Sequence, residues 1–171
     1  WLHQCEGRAK ALDLTYTLFD FSARGWNDAD LGAHLSAMRD AGYSGLNITH
    51  PFKQSVVQFL DDLAPSAMTV GAVNTVRFAD GKMIGHNTDV TGFAQSVRLG
   101  LPGESLENIV QFGAGGGGSA TAFALMSLGT KTLSLIDPDP ERGAALASRL
   151  AHLYPEAEIY ALTEAGPSLA N

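Results

Sequence analysis

The segment Gly113-Ala-Gly-Gly-Gly-Gly118 constrains this chain more than any other. Glycine weakens helices and strands alike, so such a run marks a turn. Before it stands Asn108-Ile-Val-Gln-Phe112, and after it Ser119 and the run Ala120–Leu128. Ile109, Val110 and Phe112 are apolar and largely β-branched or aromatic, as a buried parallel strand requires. The run from Ala120 is rich in helix formers. The order is therefore strand, turn, helix. Gly113, Gly115 and Gly118 fit G-x-G-x-x-G, in which the first glycine makes the tight turn, the second admits a pyrophosphate and the third lets helix pack on strand. Amides and dipole at the helix start would face the phosphates.

The context supports that reading. Thr132-Leu-Ser-Leu-Ile-Asp137 reads as the next strand, ending in an acid about 20 residues beyond the turn, where the fingerprint expects a carboxylate for ribose hydroxyls. The alternative is a capping aspartate ahead of Pro138. Strand, turn, helix, strand and acid arrive in order, which favours the ribose reading. Residues 141–154 then read as a helix with Leu146, Leu150 and Leu153 on one face, and Glu158–Leu162 as a third strand.

Upstream, residues 3–12 can form a helix and 14–20 a strand. Asn27 or Asp28 can cap a helix running to about Ala41, with Leu31, Leu35 and Met38 facing the core. Gly45–Thr49 reads as a strand broken by His50-Pro51, and residues 52–63 as a helix. The segments 72–78 and 82–86 flank Ala79-Asp80-Gly81, a hairpin signal. Gly92–Leu99 looks helical, and Leu101-Pro-Gly-Glu-Ser-Leu-Glu107 reads as a linker.

Of the 171 residues, 45% are hydrophobic, ordinary for a globular protein. The formal net charge of −7 comes with no basic block. This argues against nucleic acid and against an anionic membrane surface as partners. No apolar run approaches a membrane span. Cys5 is the only cysteine, which suits a reducing compartment. The expectation is a cytoplasmic protein, monomer or homodimer, acting on small molecules. Trp1 in place of a starting Met, and a β/α pattern that stops at Asn171, give the further expectation that residues are missing at both ends.

Polar residues gather at three places before the linker. Asn47-Ile-Thr-His-Pro-Phe-Lys53 lies where a strand gives way to a helix, the usual site position in α/β folds. Asn87-Thr-Asp89 follows the hairpin. Asn74 is polar within an otherwise apolar strand. Each has a plainer reading: Lys53 as a solvated lysine, Thr49 and Asp89 as helix caps, Asn74 as a partner for hairpin backbone. His50 and His86 are given no catalytic role, and no cluster has zinc-ligand spacing.

N-I-T-H-P-F-K, A-V-N-T, N-T-D-x-x-G and the G-A-G-G turn occur in this order, and at similar distances, in shikimate and quinate dehydrogenases. The chain resembles that family over nearly its whole length. The resemblance implies an α/β fold with an N-terminal substrate-binding and catalytic α/β domain, residues 1–104. A Rossmann-like NAD(P)-binding domain, residues 105–171 and truncated, would follow. It implies Lys53 and Asp89 as the catalytic pair, with Thr49, Asn74 and Asp89 on the substrate. Cofactor would be held by Gly113, Ala114, Gly115, Gly116, Gly117, Gly118, Ser119 and Asp137.

The chemistry is consistent with those roles. Oxidising a secondary alcohol removes a hydride and a proton, and the proton needs a nearby base. Burial disfavours a charged amine, which readies a shielded lysine for proton exchange, while a neighbouring carboxylate opposes that effect and holds the amine. The residues leave open which of the two bears the proton at turnover.

NADP-using relatives typically carry N-R-T after the second strand, where this chain has Ile136-Asp-Pro-Asp-Pro140. Asp137, with Asp139 adding charge, therefore favours NAD over NADP, and Arg142 keeps NADP open. That feature resembles the NAD-preferring quinate/shikimate branch. Two other readings stand beside the dehydrogenase. One is a non-catalytic dinucleotide-binding homologue or sensor of the same fold. The other is a methyltransferase, which would leave Lys53 and Asp89 without a task.

Overall fold

A computed structural model describes residues 1–163 of the chain. By its internal contacts the chain divides into two compact units, Trp1–Ser36 and Ala37 onward.

In the first unit, helix α1 (Leu2–Ala9) buries Gly7, where a Cβ would sit 2.8 Å from the Leu14 Cβ. The strand expected over residues 14–20 is absent, and the segment runs without ladder pairing. Its aromatic residues go into ring packing instead. Tyr16 stacks on His3 at 4.4 Å, and Phe19 on Trp26 at 6.2 Å. Asp20 caps the short helix α2 (Phe21–Arg24) by accepting from the Ala23 amide at 2.9 Å. Trp26 stacks in turn on His34 at 3.8 Å. Asn27 caps the 3-10 turn Asp28–Asp30 through the Ala29 amide, and helix α3 (Leu31–Asp40) follows. Leu31, Leu35 and Met38 are buried, as their spacing predicts.

In the second unit, β1 (Gly45–Asn47), β2 (Asp62–Leu63), β3 (Thr75–Ala79) and β4 (Lys82–His86) form a sheet of order β1-β3-β4-β2. The β3/β4 hairpin turns at Asp80 (φ 52°) and Gly81 (φ 76°), left-handed at both positions as a tight type I′ turn demands. The single helix expected over residues 52–63 is three elements: helix α4 (Phe52–Ser55), a 3-10 turn (Val56–Phe59) and β2. Tertiary pairing overrides helix propensity there. Asp61 exchanges backbone and carboxylate hydrogen bonds with Met83, at 3.0 and 2.7 Å, and draws the following residues alongside β4. Helix α5 (Pro65–Val70) was not legible as apolar periodicity. It is set by Pro65 in its first turn and by left-handed Gly71 (φ 68°) at its end. Helix α6 (Asp89–Gly100) follows the hairpin.

The segment after residue 107 is a parallel βαβαβ unit: β5 (Asn108–Phe112), α7 (Gly116–Ser127), β6 (Thr132–Ile136), α8 (Pro140–Leu153) and β7 (Glu158–Leu162). Its strands run in the order β5-β6-β7, the first half of a Rossmann-like sheet. Leu133, Leu135 and Leu150 are wholly buried, each contributing about 1.5–3 kcal/mol by burial. Val70 and Ala72 join the same apolar cluster, so α5 and the approach to β3 share a core with α7 and α8.

Two expectations need correction here. The helix begins at Gly116 rather than Ala120, so three glycines form its first turn. Nor is β5 a buried strand: Val110 and Phe112 are exposed, Phe112 by 72%. Successive side chains point to opposite faces, and among the described residues only the face carrying Ile109 and Gln111 is covered.

Candidate active site

Three strand ends meet where Lys53, Asn74 and Asp89 come together. The Ile48 amide, just past β1, donates to the Asn74 carbonyl at 2.8 Å. The Asn74 amide donates to the His86 carbonyl at 3.0 Å, and the Val73 amide to the Lys53 carbonyl at 2.7 Å. These bonds hold the α4 backbone against the approach to β3. On that frame the Lys53 Nζ donates to Asp89 Oδ2 at 2.6 Å. Both side chains are partly shielded, 22% and 33% exposed.

Asp89 is held through both carboxylate oxygens and its amide. Its Oδ1 accepts from Asn74 Nδ2 at 2.8 Å, and its amide donates to Asn87 Oδ1 at 3.0 Å. It opens α6, where the helix dipole favours an anion. Asn87 is 2% exposed and donates to the Ala72 carbonyl. Asn74 also donates to Thr88 Oγ1 and accepts from the Thr88 amide and Thr75 Oγ1. Both donors and both acceptor positions of its amide are thus used within the chain. Thr49 is exposed, and its hydroxyl donates to the His50 carbonyl at 3.3 Å. Neither Thr49 nor Asp89 is a side-chain helix cap: Thr88 precedes α6 and Pro51 precedes α4.

At the glycine turn each fingerprint position has a distinct geometry. Gly113 has φ 96°, left-handed as the sharp turn needs. Gly115 and Gly117 have open space where a Cβ would go. A Cβ on Gly118 would lie 2.2 Å from the Gly113 carbonyl oxygen, so only glycine allows the helix to sit this close. Helix α7 has 12 residues and no side-chain cap at Gly115. Its first-turn amides are the donors that a helix start leaves unpaired. An open, uncapped helix start of this kind fits a dinucleotide pyrophosphate.

Other members of the expected cofactor set point inward. Ser119 is 2% exposed with its hydroxyl 3.4 Å from the Ala114 carbonyl, so it stands behind the turn and offers its side chain to nothing outside. The Ala114 amide is committed to Asp137 Oδ2 at 2.6 Å. Asp137 itself is 4% exposed. Its Oδ1 accepts from the Asp139 amide at 2.8 Å and from Arg142 Nε and Nη2 at 3.3 and 3.1 Å. Burial alone would raise this carboxyl; the Ala114 and Asp139 amides and the Arg142 guanidinium outweigh it and hold it below the usual carboxylate range. The cap of α8 is Asp139, accepting from the Glu141 and Arg142 amides, rather than Asp137 ahead of Pro138.

A brace that the sequence reading missed is Gln111. Its Nε2 donates to the carbonyls of Gly113 and Gly118 at 2.8 and 2.9 Å, and its Oε1 accepts from Thr121 Oγ1 at 3.0 Å. A polar residue inside an apolar strand just before a glycine turn was the available signal. Gln111→Leu should take the Nε2 donor from the Gly113 carbonyl, while Gly118 keeps Thr121 Oγ1 at 3.0 Å, and should lower stability by about 1–3 kcal/mol. Urea unfolding measures it, and a change under about 0.3 kcal/mol would mean the turn does not depend on this amide.

A family model described as Shikimate dehydrogenase substrate binding domain matches residues 1–76. The chain is 48% identical to the shikimate dehydrogenase (NADP(+)) of Pseudarthrobacter chlorophenolicus, over 96% of this chain and 56% of that protein. It is 43% identical to the quinate/shikimate dehydrogenase (NAD(+)) of Corynebacterium efficiens, over 87% of this chain and 53% of that one. Among solved structures, the quinate dehydrogenase from Corynebacterium glutamicum in complex with NAD superposes with a TM-score of 0.83 at 38% identity, covering 94% of this chain and 57% of that one. The Thermus thermophilus shikimate 5-dehydrogenase in complex with NADP(H) and shikimate gives 0.76 at 30%, covering 94% and 56%. The chain thus spans about half the length of the relatives it matches. Four ordered motifs, a parallel βαβαβ unit behind a mixed sheet, and these likenesses agree: the chain belongs to the shikimate/quinate dehydrogenase family.

Proposed function

We propose that this chain takes part in NAD(P)-dependent interconversion of shikimate, or quinate, with its 3-dehydro ketone. The observation that carries the reading is the Lys53–Asp89 pair at 2.6 Å, lying next to the uncapped start of α7. The Lys53 stem reaches that helix: its Cβ lies 2.9 Å from where a Cβ of Gly116 would be. An acid–base pair and a dinucleotide turn are thereby neighbours. Bound nicotinamide would supply the hydride acceptor. Lys53 Nζ would take the alcohol proton, or return one to the ketone. Asp89 Oδ2 would hold the amine in position, and Asn74 would hold Asp89. Thr49, exposed at the end of β1, would contact substrate hydroxyls, as would Asn74 after giving up one internal partner. On this reading residues 1–104 carry substrate and proton transfer, and 105–171 carry the cofactor at Gly113–Gly118.

NAD is the favoured cofactor. Arg142 is the only lysine or arginine between Lys131 and Arg149, and its guanidinium lies 3.1 Å from Asp137 and 3.6 Å from Asp139. A 2′-phosphate would have to compete with two carboxylates for it, whereas free ribose hydroxyls can donate to a carboxylate. Asp139, half exposed, is the freer of the two acids, and Asp137 supports it from behind.

The test is direct. Purified chain is mixed with shikimate or quinate and either NAD or NADP, and the absorbance of reduced nicotinamide is followed. Turnover with NAD exceeding that with NADP by tenfold or more is expected. Dinucleotide binding without turnover on either acid would favour the sensor reading. Preference for NADP would overturn the role given to the acids.

A further inference from the structure

We propose that Gly116 is a positioning residue for Lys53, so that the first residue of the cofactor helix sets where the proton-transfer amine stands. The proposal rests on Lys53 being that proton-transfer group. Neighbouring glycines in the turn have ordinary explanations: Gly113 is left-handed, Gly118 is pressed against a carbonyl, and Gly115 and Gly117 face open space. Gly116 differs from all of these. Its φ is not left-handed, and it lies in regular helix, where a side chain would be tolerated by the backbone and would strengthen the helix. What bars one is the Lys53 stem. A Cβ here would meet Lys53 Cβ at 2.9 Å, Lys53 Cδ at 3.5 Å and Ala72 Cβ at 3.7 Å.

The nearest of these atoms cannot swing away. A Cβ moves only with its backbone, and the Lys53 carbonyl is tied to the Val73 amide at 2.7 Å. Relief must come from shifting α4 or α7, and either displaces the Lys53 Nζ from Asp89 Oδ2, a contact of 2.6 Å. Hydrogen bonds weaken steeply with such displacement. The missing side chain at 116 therefore serves the amine, and it fixes the distance from that amine to whatever α7 holds at its N-terminus.

Lys53 can be read without turnover. The chain is exposed briefly to an amine-acylating reagent, and labelling of Lys53 is quantified by peptide mass spectrometry. Gly116→Ala should label several-fold faster than the unsubstituted chain, because an amine freed from its carboxylate is more available. Gly117→Ala adds the same methyl into open space one residue along, and should leave Lys53 labelling unchanged. With substrate and NAD, Gly116→Ala should lower kcat more than it raises KM for NAD and should alter the pH profile of kcat, while Gly117→Ala should act mainly on KM. Unchanged labelling in Gly116→Ala, or an equal rise in both variants, would overturn the proposal. If Gly116→Ala fails to fold, nuclear Overhauser contacts between the Gly116 α-protons and the Lys53 side chain in the unsubstituted chain decide it: their presence supports the contact, and their absence overturns it. A chain with these contacts and this labelling pattern but no turnover would sink the dehydrogenase reading alone.

Discussion

Lys53→Met is expected to reduce turnover by about 10²–10⁴-fold while leaving NAD affinity nearly unchanged. Methionine keeps most of the stem that lies against α7 and removes only the group that can carry a proton. The loss corresponds to about 3–5 kcal/mol of transition-state stabilisation. The effect on folding should be far smaller. Asp89 is one-third exposed, so water can solvate it once its partner is gone, and partly exposed ion pairs are worth about 1 kcal/mol or less. A catalytic loss exceeding the stability loss several times over is the signature of a proton-transfer group. Parallel kinetics and thermal unfolding separate the two. Turnover within threefold of the unsubstituted chain would remove Lys53 from the chemistry.

Asp137→Asn should act on the fold more than on the cofactor. It takes charge from a carboxylate that holds the Ala114 amide, the Asp139 amide and the Arg142 side chain. Breaking a fully buried ion pair costs about 3–5 kcal/mol. Arg142 is 43% exposed and recovers part of that in water, so a loss of about 2–4 kcal/mol is expected. For a chain of this size that lowers Tm by roughly 5–15 °C. The pH dependence follows from the same contacts. The folded carboxyl lies below its unfolded value, so its contribution is complete above about pH 4 and is lost as pH falls through the lower native value. Acid unfolding of Asp137→Asn should therefore be less steep in that range. Undiminished Tm together with loss of NAD binding would instead give Asp137 the direct ribose contact that its sequence position first implied.

The two halves of the chain differed in how much their residues disclosed. The β5–α7–β6–α8–β7 run was readable because each element follows from a local cue: the glycine turn, apolar runs, and leucines at helical spacing on α8. Lys53, Asn74 and Asp89 stand out in the sequence as polar groups at element ends, and the family resemblance, not their spacing, assigns their roles. Their hydrogen bonds depend on three strand ends meeting, which no spacing along the chain records. β2 was missed because it exists only through pairing with β4. The segment from Leu14 to Asp20 has strand composition but no ladder, since its rings found other rings. Asp137 and Ser119 carried the right residue types for a ligand; which way a side chain faces is a property of packing, and packing turned both inward.

Three glycines make the first turn of α7 the loosest part of that helix, since glycine gives up more backbone freedom on folding than any other residue. Amide hydrogens there should exchange with solvent sooner than those from Ala120 onward, and an anion that pairs with them should slow that exchange.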